Sequence, residues 1–272
     1  MKISTNLKAL GVATTMLTGF VLGGSVTAYA DEPESKPVGG TYDSNAIIQF
    51  EAASGVITPP TDPTNPGKED PDNPGEPELV NPIDPTKPPG EDPEKGTFGP
   101  LSIDYASGLD FGTQEITSTN QYYKAKPQKF SNRTPAEGPN YVQVSDSRGT
   151  EAGWSLQVKQ NGQFKSTTDK VLTGAEIRFT NGSVASASAS PFPSNFEDNF
   201  ALTFNEDGTG VAKTIMSAKT GEGSGTYLLV FGDDKSAADS IELFVPGSTT
   251  KYADKYTTSI TWTLTDVPGI GE

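Results

Sequence analysis

The chain carries 272 residues, with 35 Asp and Glu against 20 Lys and Arg, a formal net charge of −15, and neither Cys nor His. That balance argues against a nucleic-acid backbone or an anionic lipid face as partner, since both need clustered Lys and Arg. The two missing residue types exclude Cys nucleophiles, His-based triads, thiolate or imidazole zinc sites, and disulfides.

The first thirty residues predict a cleaved secretory signal peptide. Lys2 and Lys8 give a positive start, Ala9 to Val26 are mainly apolar or small, and Ala28-Tyr29-Ala30 makes an A-x-A cleavage site before Asp31-Glu32. A membrane anchor fits less well, because Gly and Thr interrupt the apolar run; no later stretch is apolar enough to span a bilayer. Residues 31–40 read as a short tail, and 41–272 as one β domain.

Residues 44–51, SNAIIQFE, alternate with period two and predict a strand, with Ile47 as the exception. A lone strand is not stable, so it is expected to pair into a later sheet. Between the two lies a Pro-rich acidic tract. Asp31 to Pro100 hold 15 of the 22 prolines, with 15 acidic and 4 basic residues. Prolines and like charges predict an extended, disordered spacer over 57–98, inserted as a loop, with roughly 40 residues reaching on the order of 120 Å.

From Leu101 onward about 170 residues remain, enough for one core. Short strands are expected at PLSIDYA, YVQVSD, GWSLQVKQ, AEIRFTN, NFALTFN, GVAKTIM, GTYLLVFG, SIELFVP and TTSITWTLTD. Turn signals separate them: Asn161-Gly162, Asn181-Gly182, Asp207-Gly208, Gly232-Asp233 and Pro246-Gly247. SVASASASPFPS, small and flexible, reads as a long surface loop. The whole predicts an all-β fold, an antiparallel β-sandwich or a barrel-like closure.

The only two tryptophans, Trp154 and Trp262, each stand in a Trp-[Ser/Thr]-Leu frame. On a strand, Trp154, Leu156 and Val158 share one face, and Ile260, Trp262 and Leu264 share another; Ser155, Gln157, Lys159 and Thr261, Thr263, Thr265 lie behind them. Such stripes either pack into a core or present indoles as a flat platform for a sugar or peptide.

The two Trp-x-Leu frames, the terminal SITWTLTDVPG, the block GPLSIDYASGLDFGTQEI after a Pro/Asp spacer, and the small strand before that spacer together resemble the WxL domain of Gram-positive cell-surface proteins. The resemblance covers about residues 41–270. It implies secretion, non-covalent retention on the cell wall through peptidoglycan or another wall polymer, and companion surface proteins as possible partners. It makes Trp154, Leu156, Trp262 and Leu264 the residues expected to bind the wall or to support the motif. The chain resembles the short class, mostly the domain itself. Its VPGIGE ending carries no LPxTG-type sorting signal, in keeping with non-covalent retention.

No catalytic residue, metal ligand or cofactor site is expected. Acidic pairs such as Glu197-Asp198, Glu206-Asp207 and Asp233-Asp234 fall in turns, where a glycosidase would need them flanking a cleft. The NEDG and GDD stretches lack an EF-hand pattern. Three readings remain: a non-catalytic wall-binding module, a protein-interaction subunit that binds a companion surface protein or a host matrix protein, and a secreted hydrolase.

Overall fold

The computed structural model describes residues 41–54 and 57–268. The signal peptide expected over 1–30 and the tail over 31–40 lie outside the described residues. Seventeen strands follow in order: β1 (Pro82–Ile83), β2 (Leu101–Ala106), β3 (Gln121–Lys124), β4 (Gln128–Phe130), β5 (Glu137–Gly138), β6 (Asn140–Asp146), β7 (Trp154–Gln160), β8 (Lys165–Ser166), β9 (Glu176–Phe179), β10 (Gly182–Ser186), β11 (Asn195–Phe196), β12 (Phe200–Ala201), β13 (Lys213–Ala218), β14 (Gly225–Phe231), β15 (Ile241–Val245), β16 (Tyr256–Thr257) and β17 (Ile260–Thr265). One 3-10 turn, Ala237–Asp239, is the helical exception among the described residues.

All pairings between these strands are antiparallel, as the expected all-β class requires. Three four-stranded sheets run β10-β14-β6-β2, β11-β13-β7-β17 and β12-β9-β15-β3, with a three-stranded β1-β4-β5 and the pair β16-β8 beside them. β2 runs next to β17 and β10 next to β11, so the first two sheets meet along both edges in a barrel-like closure. One core joins all three large sheets. It takes Val142, Val144, Tyr227, Leu229 and Phe231 from the first, Trp154, Leu156, Val158 and Met216 from the second, and Ile177, Phe179, Ile241 and Leu243 from the third.

The sheet β10-β14-β6-β2, central to the fold, is buried on both faces along β6 and β14. In β14 the unbroken run Tyr227-Leu228-Leu229-Val230-Phe231 divides by alternation: odd positions enter the main core, while Leu228 and Val230 join Tyr105, Phe130, Tyr141 and Val80 in a second cluster on the outer face.

Val80 belongs to the acidic tract, and here the structure corrects the expectation of a disordered spacer. Residues 57–98 fold as successive turns that cover the outer face of the central sheet. Thr61 donates its backbone N–H and its hydroxyl to Gln143 Oε1 (2.9 and 3.2 Å), and Gln143 Nε2 donates to the Pro59 carbonyl (3.0 Å). Bridges join Thr61 to Leu79 and Glu69 to Pro77, and β1 pairs with β4. The local cause is the triplet Asp-Pro-x. Asp62, Asp70 and Asp84 each accept, at 2.8 to 2.9 Å, the backbone N–H two residues on, across a proline whose φ is already set. Acid and proline thus make turns here.

Two further expectations change. No strand forms over 44–51; residues 41–54 are without ladder pairing, and Phe50 is exposed. Ile47 breaks the alternation, so neither face is cleanly apolar. The first half of the expected surface loop is instead β10, paired along its length with β14. Its small side chains hide the strand signal, because its neighbour supplies the bulk. β3 and β4, with polar and aromatic residues mixed, escape the alternation test for the same kind of reason.

Candidate functional site

The two Trp-x-Leu frames lie side by side. β17 pairs antiparallel with β7, with Trp262 opposite Val158 and Leu264 opposite Leu156. Trp154 is 0% exposed, and so are Leu156 and Val158. The indole N–H of Trp154 donates to the Gly223 carbonyl (2.9 Å), which satisfies its one polar atom. Gly223 has φ +76°, and a Cβ there would stand 2.6 Å from the indole nitrogen, so the residue is glycine because the ring lies against its backbone. Ile260, Trp262 and Leu264 pack on the same core from β17 but stay half-buried. The repeated frame therefore builds one inward-facing ribbon, and Trp154 offers no platform to solvent.

Exposed aromatic surface lies instead on the outer face of β12-β9-β15-β3. Tyr122 is 51% exposed and packs 5.1 Å from Phe244 on the neighbouring strand. The Arg178 guanidinium stacks over both rings, at 5.5 and 5.0 Å from their centroids. Ion pairs flank the rings, Arg178–Glu176 at 2.5 Å and Lys124–Glu242 at 2.9 Å. Hydrogen bonding to Glu176 is the main reason the Arg178 pKa is raised further, so its charge is permanent.

Beyond the end of this face is a depression of about 690 Å³ lined by Lys170, Thr173, Gly174, Pro246, Thr249 and Tyr252, among others. Sequence reasoning missed both features. Their residues come from four distant segments, and the available signal was only the outward register of Glu176-x-Arg178 and Glu242-x-Phe244.

Of the acidic pairs singled out from sequence, Asp207 and Asp233 serve the backbone and Glu197 and Asp234 pair with cations. Asp207 is held below the ordinary carboxylate range by the Thr209 hydroxyl and N–H, and Asp233 by the Ser236 hydroxyl and by backbone N–H groups. Asp234 pairs with Arg133 at 2.6 Å, and Glu197 with Lys213 at 3.2 Å. A carboxylate with a lowered pKa is a poor proton donor at neutral pH. Among the described residues, Asp104 is the carboxyl raised above its ordinary value. Burial pushes it up, against hydrogen bonds from Ser145, Gln143 and Ser102. It lies 3% exposed on the outer face of the central sheet, where its two oxygens accept from Ser102, Gln143 and Ser145. Among the described residues no group of acidic side chains is placed to hold a metal.

An antiparallel β domain of this kind, with Trp154 inside and an aromatic, hydroxyl-rich surface outside, has the build of a binding module. The chain belongs to the WxL domain family, described as a surface cell wall-binding domain, whose model matches residues 37–268. Comparison with curated proteins gives no match, and comparison with solved structures gives none. The family places the protein at the cell surface. No helix among the described residues is long and apolar enough to cross a membrane.

Proposed function

We propose that this is a secreted protein of a Gram-positive cell surface that binds peptidoglycan non-covalently and without catalysis. The observation that carries the reading is the family match over nearly the whole described body. Four of the six carboxylates in the singled-out acidic turns, Glu197, Asp207, Asp233 and Asp234, are committed to backbone, hydroxyl or ion-pair partners, which supports the non-catalytic part. Trp154, Leu156, Trp262 and Leu264 act in this reading as supports: they hold the ribbon that joins two sheets, and the wall is met by other side chains.

Purified mature protein is expected to sediment with purified peptidoglycan and to release neither reducing sugar nor peptide from it. Protein left in the supernatant with wall material in excess overturns the reading. Retention on whole cells but not on pure wall points to a companion surface protein as the main partner. Trp154→Ala is expected to lose binding together with its melting transition; loss of binding at an unchanged melting temperature shows that the indole touches the wall.

A further inference from the structure

The outer face of β12-β9-β15-β3 and the depression at its end form one continuous strip. In β15, Ile241, Leu243 and Val245 are buried, so Glu242 and Phe244 point outward and Pro246 continues their row. In β9, Ile177 and Phe179 are buried, so Arg178 and Glu176 point outward, and the turn before the strand carries Gly174. Gly174 has φ +79°, and a Cβ there would stand 3.1 Å from Pro246 Cγ, so that turn and the β15 row close against each other at the floor of the depression. Tyr122 and Phe244 stand level with Glu176, between Arg178 and the depression, and Tyr252, 48% exposed, stands at the depression itself.

The far end is held in shape. Lys251 Nζ donates to the carbonyls of Pro246 (2.8 Å) and Thr249 (3.0 Å), and the Thr249 hydroxyl donates to the Thr173 carbonyl (2.5 Å). A loop fixed before its ligand arrives loses little entropy on binding. Lys170 stands over the Tyr252 ring, 5.7 Å from its centroid. Its neighbour Asp169 lies 3.8 Å from Lys165, and Lys170 itself is in no ion pair among the described residues. In a chain of net charge −15, an exposed cation without a carboxylate beside an aromatic ring stands out.

The two ends call for different chemistry in one ligand. Aromatic faces carry negative potential and accept the C–H face of a sugar ring, while paired side chains offer donors and acceptors to its hydroxyls without net charge. The Lys170 end calls for an anion.

We propose that this strip is the contact surface for a peptidoglycan glycan strand, with sugar rings along Tyr122 and Phe244 and a free carboxylate of the polymer at Lys170 beside Tyr252. The assignment rests on the wall-binding reading and gives that reading a location.

The test is sedimentation with purified peptidoglycan stripped by acid of attached phosphate polymers, scored beside the melting curve of each variant. Tyr122→Ala and Tyr252→Ala are expected to weaken apparent affinity about tenfold or more, as aromatic anchors do. Lys170→Glu, a reversal at an exposed position that does not threaten the fold, is expected to weaken it comparably and to flatten its salt dependence. Phe98→Ser, on an exposed ring outside the strip, is expected to bind as the parent does. Parent protein that binds alongside folded strip variants that bind equally well overturns the strip and leaves the wall-binding reading standing. Parent protein that never sediments overturns that reading, and the strip with it. Binding that disappears when the phosphate polymers are stripped overturns the carboxylate assignment. Should Tyr122→Ala fail to fold, Lys170→Glu decides alone.

Discussion

The two faces of the central sheet are both buried, but by different means. The inner face sets Val142, Val144, Tyr227, Leu229 and Phe231 against Trp154, Leu156 and Met216. The outer face mixes a small apolar cluster with Asp104, Gln143 and Ser145, and its cover is a tract of prolines and acids. The inner face is held by area removed from water. The outer face is held by a small number of polar contacts made over long separations in sequence. Arg133, 7% exposed, is the main tie: it bonds Asp62 (3.0 Å) and Thr64 (2.7 Å) of the tract and Asp234 (2.6 Å), and it stacks on Phe130.

Substitutions on each side sharpen that contrast. Trp154→Ala is expected to give the largest loss, about 4–5 kcal/mol by chemical denaturation, from the cavity and the orphaned Gly223 carbonyl. A loss below about 2 kcal/mol breaks the picture of an apolar inner face. Arg133→Ala follows at about 3 kcal/mol, since it leaves Asp62 buried without its cation. Limited proteolysis of that variant is expected to cut within 57–98 while the β body survives; uniform resistance shows that the cover has other anchors. Val80→Ala, which trims the cover's apolar foot, is expected to cost about 2 kcal/mol.

The smallest effect is the dependence on pH, where two carboxyls oppose each other. Burial alone would raise Asp62, but the Thr64 N–H, Arg133 and the Thr64 hydroxyl outweigh it, and its pKa is lowered. Its contribution is present above an unfolded value of about 3.9 and is lost as pH falls through the folded value. Asp104 is raised, so it works in the other direction: it costs stability progressively as pH rises from about 3.9 through its folded value. Asp104→Asn keeps most of the local hydrogen bonds and removes the titration. Its melting temperature is therefore expected to gain on the parent's as pH rises above about 4. A constant offset across pH removes Asp104 as the source.

The inner face was legible from residues alone. Period-two stripes at 154–158 and 260–264 point to a core, and the structure adds that they are neighbours. The unbroken Tyr227–Phe231 run carried the further message that β14 has no solvent face. The cover was not legible by composition, because prolines and acids also mark spacers; the repeated Asp-Pro-x triplets were the specific sign, each a turn with its acceptor in place. The aromatic strip could not be read in sequence order. Tyr122, Arg178, Phe244 and Tyr252 meet only once three strands and a loop are registered against each other.

The long separations in the cover bear on how the chain assembles. Thr61 must wait for Gln143, 82 positions later, and Asp62 for Arg133, 71 positions later. Contacts so distant in sequence close late, after the local hairpins have formed. During synthesis from the N-terminus the tract is made first and remains without its docking face. A greasy strand in that position would pair with whatever emerged next. Proline and acid disfavour strand pairing in this segment before the sheet it covers exists, and leave its turns free to close over that sheet afterwards.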